Sequence, residues 1–270
     1  MSQFDDETRL ERLSDTRFGV LPPASWCIAG NLNGGYLMTL AAVALRDVSP
    51  QHPDPLSVTL HYLRPGAGGT PCQLDVQLLR QGRTISTGRV TLAQDGQTCL
   101  EALAMLGDLG TAGNSAGSAD HGAAMAPPDM PPPELCVARS GEAQGVFLPI
   151  TSRLDIRLHP DDAVSGKSSQ AQLRGWIRFR DGRECDSLAL LLFADAFPPS
   201  VFGVLQKVGW VPTLEMTVHV RRRPVAGWIQ AQFTTRDIAG GRLIEDGVLW
   251  DASGAVVAQV RQLALLPKTG

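Results

Sequence analysis

A chain of 270 residues with 43% apolar and 19% charged side chains can bury one large core or two modest ones, and is too apolar for wholesale disorder. Its net charge of -3, from 24 basic and 27 acidic residues, lacks the basic footprint that holds a phosphate backbone, so nucleic acid is not an expected partner. Residues 1–12 are mostly polar and charged, and no apolar run reaches the ~18 residues that suggest a membrane span. Five scattered cysteines without CxxC pairs (Cys27, Cys72, Cys99, Cys136, Cys185) read as reduced thiols of a cytoplasmic protein.

In chain order, the first helical candidate is NGGYLMTLAAVAL, residues 33–45, opened by Asn33 as N-cap and apolar on nearly every side, as a buried helix is. Four strand candidates follow: SVTLHYLRP, CQLDVQLLR, ISTGRVTLAQ and TCLEALAML. Residues 107–133, rich in Gly, Ala, Ser and Pro without either periodicity, read as a flexible linker between an N-terminal half (1–106) and a C-terminal half (134–270). The second half repeats the order. Its helix, DSLALLLFADAF at 186–197, is opened by Asp186 and stopped by Pro198-Pro199, and its strands are EMTVHVRR, WIQAQFTTR, IEDGVLWDA and VVAQVRQLALL.

The repeat can be laid out residue by residue. A shift of 158 places Thr59-Leu60-His61 on Thr217-Val218-His219, Val90 on Val248, Leu92 on Trp250 and the turn Asp95-Gly96 on Ser253-Gly254. Alternation is clear where Leu214, Met216, Val218 and Val220 interleave with Thr213, Glu215, Thr217 and His219. The expectation is an α+β double hotdog: two antiparallel sheets, each wrapped around one buried helix.

Three motifs, in order, carry a family resemblance: Asn33-Gly34-Gly35-Tyr36 at the helix start, His61-Tyr62-Leu63-Arg64-Pro65-Gly66, and Leu79-Arg80-Gln81-Gly82-Arg83-Thr84-Ile85-Ser86. With them the chain resembles acyl-CoA thioesterase II over about 18–106 and 185–267. That family often carries a histidine two residues before the aromatic of the second motif; Thr59 stands there, and His61 replaces the aromatic. The resemblance implies hydrolysis of acyl-CoA by a water that an Asp, a Ser or Thr and a Gln orient, at positions matching Asp195, Thr213 and Gln262. It implies neither metal nor organic cofactor. Acyl-CoA is the expected small-molecule partner, and a homo-oligomer is left open.

The residues themselves bear on these roles. Asp195 lies among Leu190, Leu191, Leu192, Phe193, Ala194 and Phe197, where a desolvated carboxylate could serve as general base; the alternative is a solvent-facing residue of the last turn. Gln262 alternates with Val260 and Ala264 on an apolar face, so its amide orients a water or makes a structural bond. Thr213 has the parity opposite to Leu214 and needs a bulge or a terminal position to reach the site, with Thr217 as its rival of the same parity.

Gly34 and Gly35 at a helix N-terminus offer N–H groups for a thioester oxyanion, together with that of Tyr36, or else ease helix packing. Aligning Asn33 with Asp186 sets Ala42 opposite Asp195 and Leu188 opposite Gly35, while the strand shift sets Ala104 opposite Gln262. One composite site with a dead mirror image is therefore expected. Two rivals remain. Asp47-Val48-Ser49-Pro50-Gln51-His52 looks like a hotdog enoyl-CoA hydratase motif, although it closes the helix rather than opening it, and a non-catalytic acyl-CoA-binding protein could keep the fold. Arg221-Arg222-Arg223 reads as a solvated strand end or a contact for coenzyme A phosphates. The five histidines (His52, His61, His121, His159, His219) lack metal-ligand spacing, and no GxSxG elbow or nucleophilic Cys context appears.

Overall fold

The computed structural model describes residues 2–110, 125–205 and 209–267. The chain begins with α1 (Gln3–Glu7), the short strands β1 (Glu11–Arg12), β2 (Arg17–Val20), β3 (Cys27–Ile28) and β4 (Asn31–Leu32), and the long helix α2 (Gly34–Val48). Asn33 caps α2, its Oδ1 accepting the Tyr36 N–H at 2.9 Å. The helix ends at Ser49, whose N–H bonds to the carbonyls of Leu45 and Arg46, immediately before Pro50. Every residue from Gly35 to Leu45 is buried, which accounts for a helix with almost no polar side.

Four strands then run antiparallel: β5 (Asp54–Tyr62), β6 (Cys72–Gln81), β7 (Ile85–Gln94) and β8 (Gln97–Gly107). The second half adds β9 (Val137–Ala138), α3 (Gly141–Gln144), β10 (Leu154–Leu158), β11 (Gln172–Phe179) and α4 (Ala189–Phe193). It closes with β12 (Thr213–Val220), β13 (Ile229–Ala239), β14 (Arg242–Trp250) and β15 (Val256–Leu265). The class is the expected α+β, but the two sheets are one. Among the described residues a thirteen-stranded sheet runs β1-β2-β6-β7-β8-β5-β12-β15-β14-β13-β11-β10-β9. The joining pair is β5 and β12, which bond from Glu215↔His61 to His219↔Ser57; each half-sheet would otherwise expose an edge there. The pairing centres on Thr59↔Thr217, the same position of each half, so the pseudo-twofold axis passes between them, and their hydroxyls lie 2.9 Å apart.

Two expectations need correction. The second helix was expected over 186–197, but α4 covers only Ala189–Phe193. The N-cap position is Leu188 rather than Asp186, although Asp186 Oδ1 accepts from Ala189 N at 2.8 Å; after Phe193 the chain tightens, with Asp195 N bonding to Leu192 O. Pro198 disfavours helical geometry at Phe197, so the helix cannot run through to 197 as expected. The 158-residue shift also slips by one in part of the repeat. It holds for β5 and β8 against β12 and β15, but Gly88 pairs with Ala104 where Glu245 pairs with Gln262. Val90 therefore corresponds to Gly247 and Leu92 to Leu249, because the connection at 251–255 is one residue longer than that at 94–97.

Of the stretch read as a linker, residues 111–124, with His121, lie outside the described residues. Met125 to Pro131 lies against the second half: Trp250 Nε1 donates to Met125 O (2.7 Å), Gln230 Nε2 to Pro128 O (2.6 Å) and Trp176 Nε1 to Pro131 O (2.9 Å).

Candidate active site

The N-terminus of α2 meets the end of α4 across the pseudo-twofold axis, and glycine makes that approach possible. A Cβ on Gly35 would stand 2.6 Å from Leu191 O and 2.8 Å from Leu192 O; one on Gly34 would stand 2.8 Å from Tyr62 Oη and 2.9 Å from Asp195 Oδ2. Close packing brings the Asp195 carboxylate onto the helix start. Its Oδ2 accepts from Gly35 N (3.0 Å) and Asn33 Nδ2 (2.9 Å), and Asn33 Nδ2 also donates to Asp195 O (2.7 Å). Burial pushes the Asp195 carboxyl up to about 6; the backbone N–H groups of Gly35 and Gly34 pull it down, the charge of Glu245 pushes it up, and the Arg139 guanidinium pulls it down. At neutral pH it is mostly ionised yet basic enough to accept a proton.

A second hydrogen-bonded chain comes from the β-sheet. Thr213, the first residue of β12, lies where the register shifts before Glu215, and this bulge turns its hydroxyl to the core. Thr213 Oγ1 donates to Gln262 Oε1 (2.8 Å), and Gln262 Nε2 donates to Glu245 Oε1 (2.5 Å). Glu245 Oε2 accepts from Ser200 N (2.6 Å). Burial of the Glu245 carboxyl raises its proton affinity, partly offset by the Ser200 and Gln262 bonds. With the carboxylate as acceptor, the Gln262 amide is fixed with its oxygen toward Thr213. Thr217, the rival hydroxyl, bonds instead to Thr59 and to Glu215.

Asp195, Thr213, Gln262, Glu245, Arg139, Gly34 and Tyr62 line one cavity of ≈ 270 Å³, walled by apolar side chains such as Leu37, Phe197, Phe202 and Phe233. Three of these were not foreseen. Glu245 escaped because the uncorrected shift set it opposite Thr87 rather than Gly88. Arg139, buried and donating to Ala196 O, follows a two-residue strand that carries no periodicity. Tyr62 was readable, since it continues the alternation of Val58 and Leu60 on the core face.

The N–H groups expected to meet an oxyanion have partners within the protein in this arrangement: that of Gly35 is held by Asp195 and that of Tyr36 by Asn33, and that of Gly34 is also directed at Asp195. The Tyr36 ring is fully buried against Trp26, at a 5.2 Å centroid separation, and its hydroxyl donates to Glu7 O. The hydratase-like motif forms a separate buried knot, with Ser49 Oγ and His52 Nδ1 at 2.7 and 2.8 Å from Ser86 Oγ; none of the three lines the cavity. Arg223 is paired with Asp54 at 2.6 Å, and His61 is exposed on the outer face beside Glu215. Among the described residues, no three His, Cys, Asp or Glu side chains gather as metal ligands, and no helix is long and apolar enough to cross a membrane.

Family models match both halves, the acyl-CoA thioesterase N-terminal domain over residues 22–107 and the acyl-CoA thioesterase C-terminal domain over residues 126–266. The chain belongs to the acyl-CoA thioesterase family. This thioesterase is similar to uncharacterised proteins of Mycobacterium tuberculosis and Mycobacterium bovis, 30% identical over 90% of this chain and 88% of theirs. A crystal structure assigned as a thioesterase II from Thermobifida fusca superposes with a TM-score of 0.85 at 29% identity, covering 99% of this chain and 98% of that one. A hotdog-fold protein from Alicyclobacillus acidocaldarius gives 0.82 at 22% identity, with all of both chains covered, which places the thioesterase in the hotdog fold. Its activity is the hydrolysis of acyl-CoA thioesters.

Proposed function

We propose that the thioesterase hydrolyses acyl-CoA with a water held among Asp195, Thr213 and Gln262, at one composite site built by both halves. The observation that carries this reading is the placement of the Asp195 carboxylate. Asn33 and Gly35 of the first half pin its Oδ2, in the same cavity that the Thr213–Gln262–Glu245 chain lines from the second. Oδ1 is left to take a proton from water. The water oxygen attacks the acyl carbon, its proton passes to Asp195, and the carbonyl electron pair moves onto oxygen. When that pair returns, the C–S bond breaks and the coenzyme A thiolate takes the proton back from Asp195. Thr213 and Gln262 orient the water, and the apolar wall receives the acyl chain. No metal or organic cofactor enters any step.

The symmetric order β6-β7-β8-β5 against β12-β15-β14-β13 supports two hotdog units, residues 1–106 and 134–270, fused through β5 and β12. In the mirror position stand Ala42, Gly88, Ala104 and Pro55, which hold no acid, amide or hydroxyl, so that site is inactive. Cysteines that are all free support a cytoplasmic enzyme. The test is thiol release from a panel of acyl-CoAs by Asp195→Asn. A fall of ~10²-fold or more in kcat supports general-base assistance; near-normal turnover removes Asp195 from the mechanism.

A further inference from the structure

Among the described residues, one buried side-chain polar atom has no hydrogen-bond partner in the protein: Tyr62 Oη. Leaving a buried hydroxyl unpaired is destabilising, and such a group in a native fold calls for an explanation. Its position supplies one. Tyr62 ends β5, whose alternation carries Val58 and Leu60 into the core, and its hydroxyl reaches the first residue of α2. There Tyr62 Oη and Asp195 Oδ2 both come within 3 Å of the point a Gly34 Cβ would occupy. Both line the cavity. A thioester bound beside Gly34 would lie within reach of both groups.

We propose that the Tyr62 hydroxyl donates the hydrogen bond that holds the thioester carbonyl oxygen as it becomes an oxyanion. The need for such a donor follows from the geometry, because the Gly35 and Tyr36 N–H groups are committed to Asp195 and Asn33. A donor that has no protein partner at rest gives up no existing bond when substrate arrives. Burial, and then the negative charges of Asp195 and Glu215, push the phenol well above its ordinary range, so it remains an O–H donor wherever the enzyme works. The tyrosine stays covalently unchanged: it donates to the oxygen while charge resides there and is released as the carbonyl re-forms.

This inference rests on the Asp195 reading, and the two can be separated with Tyr62→Phe and Asp195→Asn assayed side by side on acyl-CoA. Tyr62→Phe should lower kcat by ~10²-fold or more, as loss of one oxyanion donor does, with KM changed by no more than a few fold. The acid limb of its pH profile should stay at the wild-type position, since a hydroxyl that merely placed Asp195 would move that limb when removed. Its Tm should be unchanged or higher, because an unpaired buried hydroxyl is gone. Turnover within about threefold of wild type, while Asp195→Asn is inactive, overturns the proposal and leaves the Asp195 reading standing. A clear fall in Tm also overturns it, by revealing a structural partner. If Asp195→Asn keeps its turnover while Tyr62→Phe loses it, the base assignment fails and the oxyanion donor stands.

Discussion

Asp195 Oδ2 lies 3.0 Å from the backbone N of Gly35, so the end of the second half's short helix rests on the start of the first half's long one. The two glycines beside this contact do different things, and their substitutions should separate. Gly35→Ala drives a Cβ toward the backbone carbonyls of Leu191 and Leu192, which cannot swing aside, and should cost about 1–3 kcal/mol of stability. Gly34→Ala meets side-chain atoms only, Tyr62 Oη and Cζ and Asp195 Oδ2, which can shift where a backbone carbonyl cannot. It should fold with a smaller loss of Tm than Gly35→Ala and lose activity. Thermal melts and thiol-release rates on the two proteins check this; equal effects on both measurements would contradict it.

The raised proton affinity of Asp195 sets two pH dependences. Because the base must be ionised, kcat/KM should rise with pH through an acid limb near 6. For stability the sign is opposite. A carboxyl whose folded value lies above its unfolded one contributes fully below the ordinary carboxylate range, and that contribution is lost as pH rises through about 6. Asp195→Asn should therefore melt higher than wild type at pH 8, by about 1–2 kcal/mol after allowing for partial exposure, and the gap should narrow at pH 5. Melting curves of both proteins across this range decide it.

How far the sequence led is clearest at the site. Asp195 and Gln262 were legible because each interrupts an apolar pattern, which burial penalises unless the group has a partner or a task. Parity alone shows that Thr213 needs a bulge or a terminal position, and it has both, as the first residue of β12 at a register shift. Fusion of the half-sheets was not legible, since the pairing of β5 with β12 joins segments 158 residues apart with no local signal. Nor could the sequence reveal that the Gly35 N–H bonds a carboxylate instead of awaiting an oxyanion. That depends on how closely α2 and α4 pack.

Glu245 acts on the site through Gln262 and through its charge. Glu245→Gln keeps the shape but removes the carboxylate that accepts from Ser200 N and Gln262 Nε2, so the amide loses its fixed orientation and kcat should fall by up to ~10²-fold. The same change removes a negative charge that raises Asp195, so the acid limb should move to lower pH. A fall in kcat with the limb unmoved would show that the charge of Glu245 is not felt at Asp195.

The segment between the halves should divide into a dispensable part and a required one. Loop entropy varies slowly with length, so removing several residues within 113–124 should leave stability nearly unchanged. Deleting residues 125–131 should behave differently. Trp250 and Gln230 are buried at 2% and 6% exposure, and their side-chain N–H groups, with that of Trp176, donate to carbonyls of this stretch. Without it three donors lose their acceptors and the two buried side chains meet water, at a cost of about 1 kcal/mol per bond plus the exposed apolar area. Tryptophan fluorescence should shift to the red, and Tm should fall by several degrees more than in the 113–124 deletion. If both deletions melt alike, the stretch at 125–131 is only a tether.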